Sequence, residues 1–299
     1  MDIGRKIKEL RTERGLSQEK MAEQLCVSRQ AITKWETGVG IPDVENLVAI
    51  SRLFGISTDE LLLNTATQET GENRPHFEST TSVDIAEPLD LDIQAGCARA
   101  IRFSCTESEK VTVMLQSETI TDLDRAFKVF LDPQGRNFDI DIKNAGVVAD
   151  SIARSELDVV IEAPAAYTRS AEIEMNADEC TIAGASMDIE LSGYLKRLYL
   201  DKVAGHVEID TAGDLETTAT GVAGRLDINQ IGATSIVRIT DGTPFVATTR
   251  GKLGRRTLRY TRNGEPMQAP QESAEEAPLS IELSGSRVEL TIDTVSMEG

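Results

Sequence analysis

Apolar residues recur at helical intervals over the first sixty-odd positions and at alternating ones further on. Ile3, Ile7 and Leu10 share one face of a first helix, with Arg5, Lys6, Lys8, Glu9 and Arg11 on the others, and Gly15 stops it. Ser17 caps a second helix with Met21, Ala22 and Leu25 inward. Cys26, Val27 and Ser28 form a three-residue turn, and Ser28 caps a third helix over Arg29–Glu36. Gly38 stands where a helix end favours a left-handed residue. Pro42 and Asp43 open a fourth helix (Val44, Leu47, Ile50, Leu53, Phe54) that Gly55 ends. Ser57 to Glu60 reads as a capping box for a short fifth helix reaching Leu63. Leu25, Val27, Ile32, Leu47, Ile50 and Trp35 are assigned to core packing, as is Cys26.

Past a polar stretch over 65–82, which predicts a linker, the pattern changes to period two. Leu89 to Ile93, Phe138 to Ile142, Met187 to Leu191, Val207 to Asp210 and Leu226 to Asn229 each place apolar side chains on one face and mostly acids on the other. These are half-buried strands. The tripeptides ending at Gly184, Gly205 and Gly224 recur at 21 and then 19 residues. A repeat of that length predicts a β-solenoid, whose coils bury their apolar faces by stacking, with a β-sandwich of hairpins as the alternative. Residues 263–278 are polar and predict a flexible insertion before the last strands.

Charge separates the same two regions. The 299 residues carry a net charge of −19, yet residues 1–64 hold 9 Lys and Arg against 10 Asp and Glu, so nearly all the excess lies in 65–299. An acidic chain would ordinarily be excluded from nucleic acid, whose phosphates need a positive surface, but a near-neutral head escapes that exclusion. No run approaches the ~20 apolar residues of a membrane span, and the first residues lack the apolar core of a secretory signal. Cys26, Cys97, Cys105 and Cys180 show no metal-type spacing and, with the missing signal, predict reduced thiols in the cytoplasm. Only His76 and His206 could serve as a histidine base, and neither sits in a catalytic or metal-ligand motif, so no enzyme, metal or cofactor is expected.

Two short helices across a three-residue turn suit DNA reading, because the second can lie in the major groove with its N-terminal residues at base edges. Arg29 can fork onto guanine and Gln30 can pair with adenine, with Thr33 and Lys34 one turn further along. Gln18, at the start of the preceding helix, can donate to a phosphate.

The stretch LRTERGLSQEKMAEQLCVSRQAITKWETG followed by IPDVENLVAISRLFGISTDELL resembles the XRE/Cro-C1 family of helix-turn-helix regulators. That resemblance implies a five-helix, lambda-repressor-like domain over 1–64. It implies Gln18 and Ser28 near phosphates, and Arg29, Gln30, Thr33 and Lys34 at the bases of double-stranded DNA. It also implies a salt bridge from Arg11 to Glu36. The acidic region 83–299 resembles, by repeat texture (VAGHVEIDTAGDLETTATGVAGRLDI), the β-strand-repeat adhesin-type domains of bacterial proteins, some of them fused to helix-turn-helix heads. That likeness implies no catalytic residues.

The chain is thus expected to be a multidomain transcriptional regulator, most simply a repressor. Its all-β repeat domain would serve oligomerisation, as a homodimer or higher homo-oligomer, or sensing of a small-molecule or protein effector. A protein-interaction scaffold or antitoxin-like protein carrying the same head is the alternative. One motif stands outside this scheme. Arg250, Lys252, Arg255, Arg256, Arg259 and Arg262 form a basic run with no acid among them. Either they balance nearby carboxylates, or they make an anion, acidic-partner or DNA-backbone site.

Overall fold

Ile7, Met21, Ala22, Leu25, Ile32, Trp35, Ile50 and Phe54 form one buried cluster and hold four helices together. These are α1 (Ile3–Glu13), α2 (Gln18–Gln24), α3 (Arg29–Glu36) and α4 (Val44–Phe54). The structure, a computed structural model, describes residues 3–14, 16–25, 27–36, 40, 42–54, 77–251, 254–269 and 277–296. The fifth helix expected at 57–63, the turn residue Cys26 and the helix-ending Gly15, Gly38 and Gly55 lie outside the described residues. The helix starts form where side chains satisfy otherwise unpaired backbone donors. Ser17 Oγ accepts from the Lys20 N–H at 3.1 Å, Ser28 Oγ from the Ala31 N–H at 3.2 Å, and Asp43 Oδ1 from the Asn46 N–H at 2.9 Å. The helix ends close by longer backbone bonds, Leu16 N–H to Arg11 O and Val27 N–H to Ala22 O, both 3.0 Å.

The chain divides into two units, Met1–Asn73 and Arg74–Gly299. Among the described residues the second is all-β apart from two short helices, α5 (Leu123–Ala126) and α6 (Asp150–Glu156). Its strands are β1 (Phe77–Asp84), β2 (Leu89–Thr106), β3 (Lys110–Ser117), β4 (Phe127–Gln134), β5 (Asn137–Asn144), β6 (Asp158–Pro164), β7 (Thr168–Ala183), β8 (Asp188–Tyr194) and β9 (Arg197–Asp201). There follow β10 (Ala204–Thr211), β11 (Glu216–Thr220), β12 (Ala223–Ile231), β13 (Thr234–Thr240), β14 (Phe245–Thr249), β15 (Arg256–Arg262), β16 (Glu265–Pro266), β17 (Leu279–Ser286) and β18 (Val288–Val295).

From β7 onward the pairing is almost wholly parallel and runs in two ladders. The first half of β7 is followed by β8, β10, β12, β17 and β14, and the second half by β9, β11, β13, β18 and β15. Between β7 and β13 the offsets are 18 to 20 residues, as Ala171↔Ile189, Val207↔Leu226 and Glu216↔Ile236 show. Inward residues of both ladders, among them Ile189, Val207, Leu226, Leu198, Val237 and Leu290, belong to one core cluster. The domain therefore stacks rung on rung at the spacing of the repeat, while its two ladders share a core as the sheets of a sandwich do. At the other end, β1–β3, β3–β6 and β4–β5 are antiparallel.

Three details depart from the sequence reading. Phe77–Asp84 is a strand against β3, although 77–82 was assigned to the linker. Its burial alternates without any fully buried residue, so an edge strand of this kind needs few apolar side chains to form. Within 263–278, Glu265–Pro266 pairs with the end of β15 and the Met267 N–H reaches Tyr260 O at 2.9 Å, so the segment begins as structure. Residues 270–276 lie outside the described ones. Finally, Gly224 sits beside Gly205 in register, but Gly205 sits beside Met187 rather than Gly184, because Gly184 belongs to the turn that leaves β7.

Candidate nucleic-acid interface

α3 presents two faces of opposite character. Ile32, Trp35 and Glu36 are buried, while Arg29, Gln30, Thr33 and Lys34 are all exposed. The eight-residue helix thus turns the four residues expected at base edges to one outer surface and anchors itself by the other. The same Ser28 hydroxyl that caps it is exposed beside Arg29, and its O–H is still a donor available to an anion.

The anchor is an ion pair. Arg11 Nε donates to Glu36 Oε1 at 2.5 Å and its Nη2 to Glu36 Oε2 at 3.0 Å, while its Nη1 donates to Leu16 O at 2.7 Å. The Glu36 carboxylate is 2% exposed. Burial alone would push its pKa up, but the hydrogen bonds from Arg11 and Gln18 outweigh that and hold it below the usual carboxylate range. The same bond to Glu36 raises the Arg11 guanidinium. α1 is thereby tied to the last turn of α3.

Gln18, expected near a phosphate, also makes contacts within the head. Its Nε2 donates to Glu36 Oε2 at 2.7 Å, and its Oε1 lies 3.2 Å from the Thr33 hydroxyl, which also faces Arg29 O at 3.1 Å. The side chain bridges α2 to α3 and helps set the position of Thr33. Nothing at position 18 alone signals this; the partner is Glu36, half a domain away in sequence. Arg14 went unnoticed in the sequence for the same reason. It donates to the C-terminal carbonyls Leu53 O and Phe54 O at 3.1 and 2.6 Å and lies over the Phe54 ring, so it caps α4.

The basic run lies in the other unit, at β14 and β15. Arg250 faces Glu282 at 3.6 Å, Arg259 faces Glu289 at 2.6 Å and Arg262 faces Asp241 at 3.2 Å. Arg256 donates to Gly285 O and, at 2.7 Å, to Gly251 O. Arg255 is exposed, and Lys252 is outside the described residues. His206 contacts Asp227 at 3.0 Å, and among the described residues no group of His, Cys, Asp and Glu is arranged to hold a metal ion. Cys180 is buried and its thiol is pushed up to about 12, which makes it inert. Among the described residues no helix is long and apolar enough to cross a membrane.

Comparison with known proteins supports the geometry of the head. Residues 7–61 match the helix-turn-helix family HTH_3. The chain is 52% identical over 62 residues to the HTH-type transcriptional activator BcrR of Enterococcus faecalis, which is 21% of this chain and 30% of that protein. It is 36% identical over 71 residues to the cryptic phage CTXphi transcriptional repressor RstR of Vibrio cholerae, 24% of this chain and 63% of that one. The match thus spans less than two thirds of either relative. Among solved structures, the crystal structure of a candidate cell adhesion protein from Clostridium sporogenes aligns with 74% of this chain over all of its own length, at 11% identity and a TM-score of 0.38. Residues 7–61 are therefore an XRE-type helix-turn-helix domain, followed in this chain by a large all-β domain.

Proposed function

We propose that the chain is a sequence-specific transcriptional regulator that binds double-stranded DNA through α3. The observation that carries this reading is the single exposed surface formed by Arg29, Gln30, Thr33 and Lys34 on a helix capped by Ser28 and anchored by Glu36. Arg29 suits guanine O6 and N7 and Gln30 suits adenine N6 and N7. Ser28 and the N-terminus of α3 suit a phosphate, and Gln18 acts chiefly by positioning Thr33.

One head offers few base contacts, so two heads on one operator would supply the affinity that one lacks. In a dimer of phage-repressor geometry the half-sites stand roughly 34–36 Å apart. The all-β domain then serves as the oligomerisation or sensing part. Repression by occupancy is the simplest mode, since it requires only a bound operator. The relatives include both a named activator and a named repressor, so the sign is set by where the operator lies rather than by the head.

Selection of binding sites from random DNA with the full chain tests the reading. A recovered site with two symmetric half-sites supports the dimer. Replacing Arg29 and Gln30 by Ala should cost about 1–3 kcal/mol of discrimination at each contacted base pair. Undiminished selectivity in both variants would overturn the assignment of α3. Light scattering with and without residues 77–299 shows whether the body carries the dimer.

A further inference from the structure

At its antiparallel end the all-β domain closes on two edge strands. Among the described residues β4 pairs only with β5, and β1 only with β3. The register fixes which backbone groups of β4 are left over. β4 and β5 pair from Phe127↔Asn144 to Gln134↔Asn137, and the Ala145 N–H bonds to Ala126 O at 2.8 Å, which continues that register by one step. Hydrogen-bonded pairs alternate with non-bonded ones along an antiparallel ladder. Lys128, Phe130, Asp132 and Gln134 therefore bond to β5 through their backbone, while Val129 and Leu131 turn their N–H and C=O groups to the open side. Pro133 shares that side but has no N–H, so it ends the row.

The side chains along this edge are balanced about Phe130. Lys128 lies two residues before it and Asp132 two residues after; all three are exposed, Phe130 to 50%. Val129 and Leu131 lie on the other face, half-buried against the core. Within the chain the charges are mismatched, because Lys128 stands opposite Lys143 and Asp132 opposite Asp139. Like charges directly opposite one another destabilise a ladder. Lys143 is answered by Asp141 at 2.8 Å. Lys128 donates only to Asp124 O at 2.6 Å and Asp132 accepts from Gln134 Nε2 at 2.8 Å, so among the described residues neither forms an ion pair.

A second β4, laid antiparallel on the open side, removes the mismatch. With the two Phe130 residues opposite each other, Lys128 of each copy meets Asp132 of the other. Val129 and Leu131 exchange their open N–H and C=O groups with Leu131 and Val129 of the second copy. The Phe130 pair and both charge pairs occupy the non-bonded positions, where facing side chains stand closest. Val129 and Leu131 meet on the other face and extend the core. The remaining edges lack this match. β1 carries Glu78 and Asp84 with no lysine or arginine, and β15 carries three arginines with no acid, so copies of either would set like charges together. β14 carries no charge to fix an orientation.

We propose that β4 is a self-complementary edge through which the all-β domain pairs with a second copy of the chain, antiparallel about Phe130. The contact is isologous and covers both open β4 edges at once, so it closes at a dimer. It rests on the regulator reading only for its use, because it supplies the dimer that reading sets on two half-sites. The paired row is short, bounded by Pro133, so the dimer forms in a concentration-dependent way.

The test uses the full chain and light scattering over a range of concentrations, in which wild type should pass from monomer to dimer. Lys128→Asp and Asp132→Lys should each weaken self-association at least about tenfold, since each turns both attractive cross-strand pairs into repulsive ones. Each also sets opposite charges across the β4–β5 ladder, so the variants keep their fold, and far-ultraviolet circular dichroism should match wild type. An equimolar mixture of the two, and the double variant Lys128→Asp/Asp132→Lys, should recover the dimer. Dimers that persist in both single variants would place association on another surface and overturn the proposal, as would a mixture that stays monomeric. Arg29→Ala/Gln30→Ala should dimerise as wild type does. A wild-type chain that selects a DNA site yet stays monomeric at every concentration would sink the pairing and leave the reading of α3 intact. One that dimerises with the charge-swap pattern and selects no site would support the pairing and sink that reading.

Discussion

Gly224 lies directly over Gly205 in the parallel ladder, and a Cβ on Gly224 would stand 2.1 Å from the Gly205 carbonyl oxygen. Gly224 also has a φ of 105°, outside what an L side chain readily adopts. The 19-residue repeat therefore marks a contact between rungs as well as a turn.

Gly224→Ala should destabilise the all-β domain by about 3 kcal/mol, from backbone strain and forced separation of β10 and β12. Gly213→Ala is the control, since no atom lies within 4 Å of the added carbon there, although its positive φ carries strain too. Thermal melting of both variants checks the difference; equal losses would show that conformation rather than rung contact sets the requirement.

How much of this was readable in the sequence depended on how local each cause is. Ser17, Ser28 and Asp43 sit within three residues of the N–H groups they cap, and the spacing alone located the helix starts. Val207, Ile209, Leu226 and Ile228 alternate with polar neighbours, so strands and inward faces were equally plain. The insertion of β17 between β12 and β14 was not legible, because nothing within a strand states which strand lies beside it. Phe77–Asp84 was missed because an edge strand packs on one side only, so Ser79 and Thr81 can take positions that an inner strand fills with apolar residues. Gln18 was seen as exposed chemistry at a helix start, but its orientation depends on Glu36 and Thr33, which only the fold brings to it.

The Arg11–Glu36 pair should be needed for the head to fold. Removing one partner leaves the other charged and largely buried, at a cost of about 3–5 kcal/mol. Arg11→Ala and Glu36→Ala should each unfold the head while the all-β domain keeps its own transition. The double change Arg11→Met/Glu36→Leu should recover much of the loss, because no lone charge remains. Because Glu36 is held below its ordinary range, its contribution is present at neutral pH and lost as pH falls through the acid range. Two-transition calorimetry between neutral and acidic pH reads this directly, and a head transition insensitive to Glu36→Ala would contradict it.

Thr217 offers a change in the opposite direction. Its side chain is completely buried on β11 in register with Leu198 and Val237, and its hydroxyl has no hydrogen-bond partner among the described residues. A buried hydroxyl without a partner costs about 1–3 kcal/mol relative to an apolar group of the same shape. Thr217→Val should therefore raise the melting temperature of the all-β domain. A fall would mean that the hydroxyl is satisfied in solution, for instance by a bound water.

Glu172, Glu190 and Glu208 stand in register on neighbouring parallel strands, with Asp92 beyond Glu172 and Asp227 beyond Glu208. Like charges directly opposite one another across a ladder repel. Asp227 is answered by Arg225 and His206, but no arginine or lysine is within salt-bridge distance of Glu190 among the described residues. Partial burial, with Glu172, Glu208 and Asp210 adding to it, raises the Glu190 carboxyl above its ordinary range. A raised carboxylate is a group whose folded state holds its proton more tightly than the unfolded chain does. Its favourable contribution is therefore present at low pH and lost as pH rises through the acid range, the reverse of Glu36. Glu190→Gln should raise the melting temperature of the all-β domain at neutral pH, by well under about 1 kcal/mol because the group is exposed and screened. The gain should shrink with added salt and disappear once the carboxylates are protonated. A gain in Glu190→Gln that persists at low pH would trace the effect to packing instead of charge.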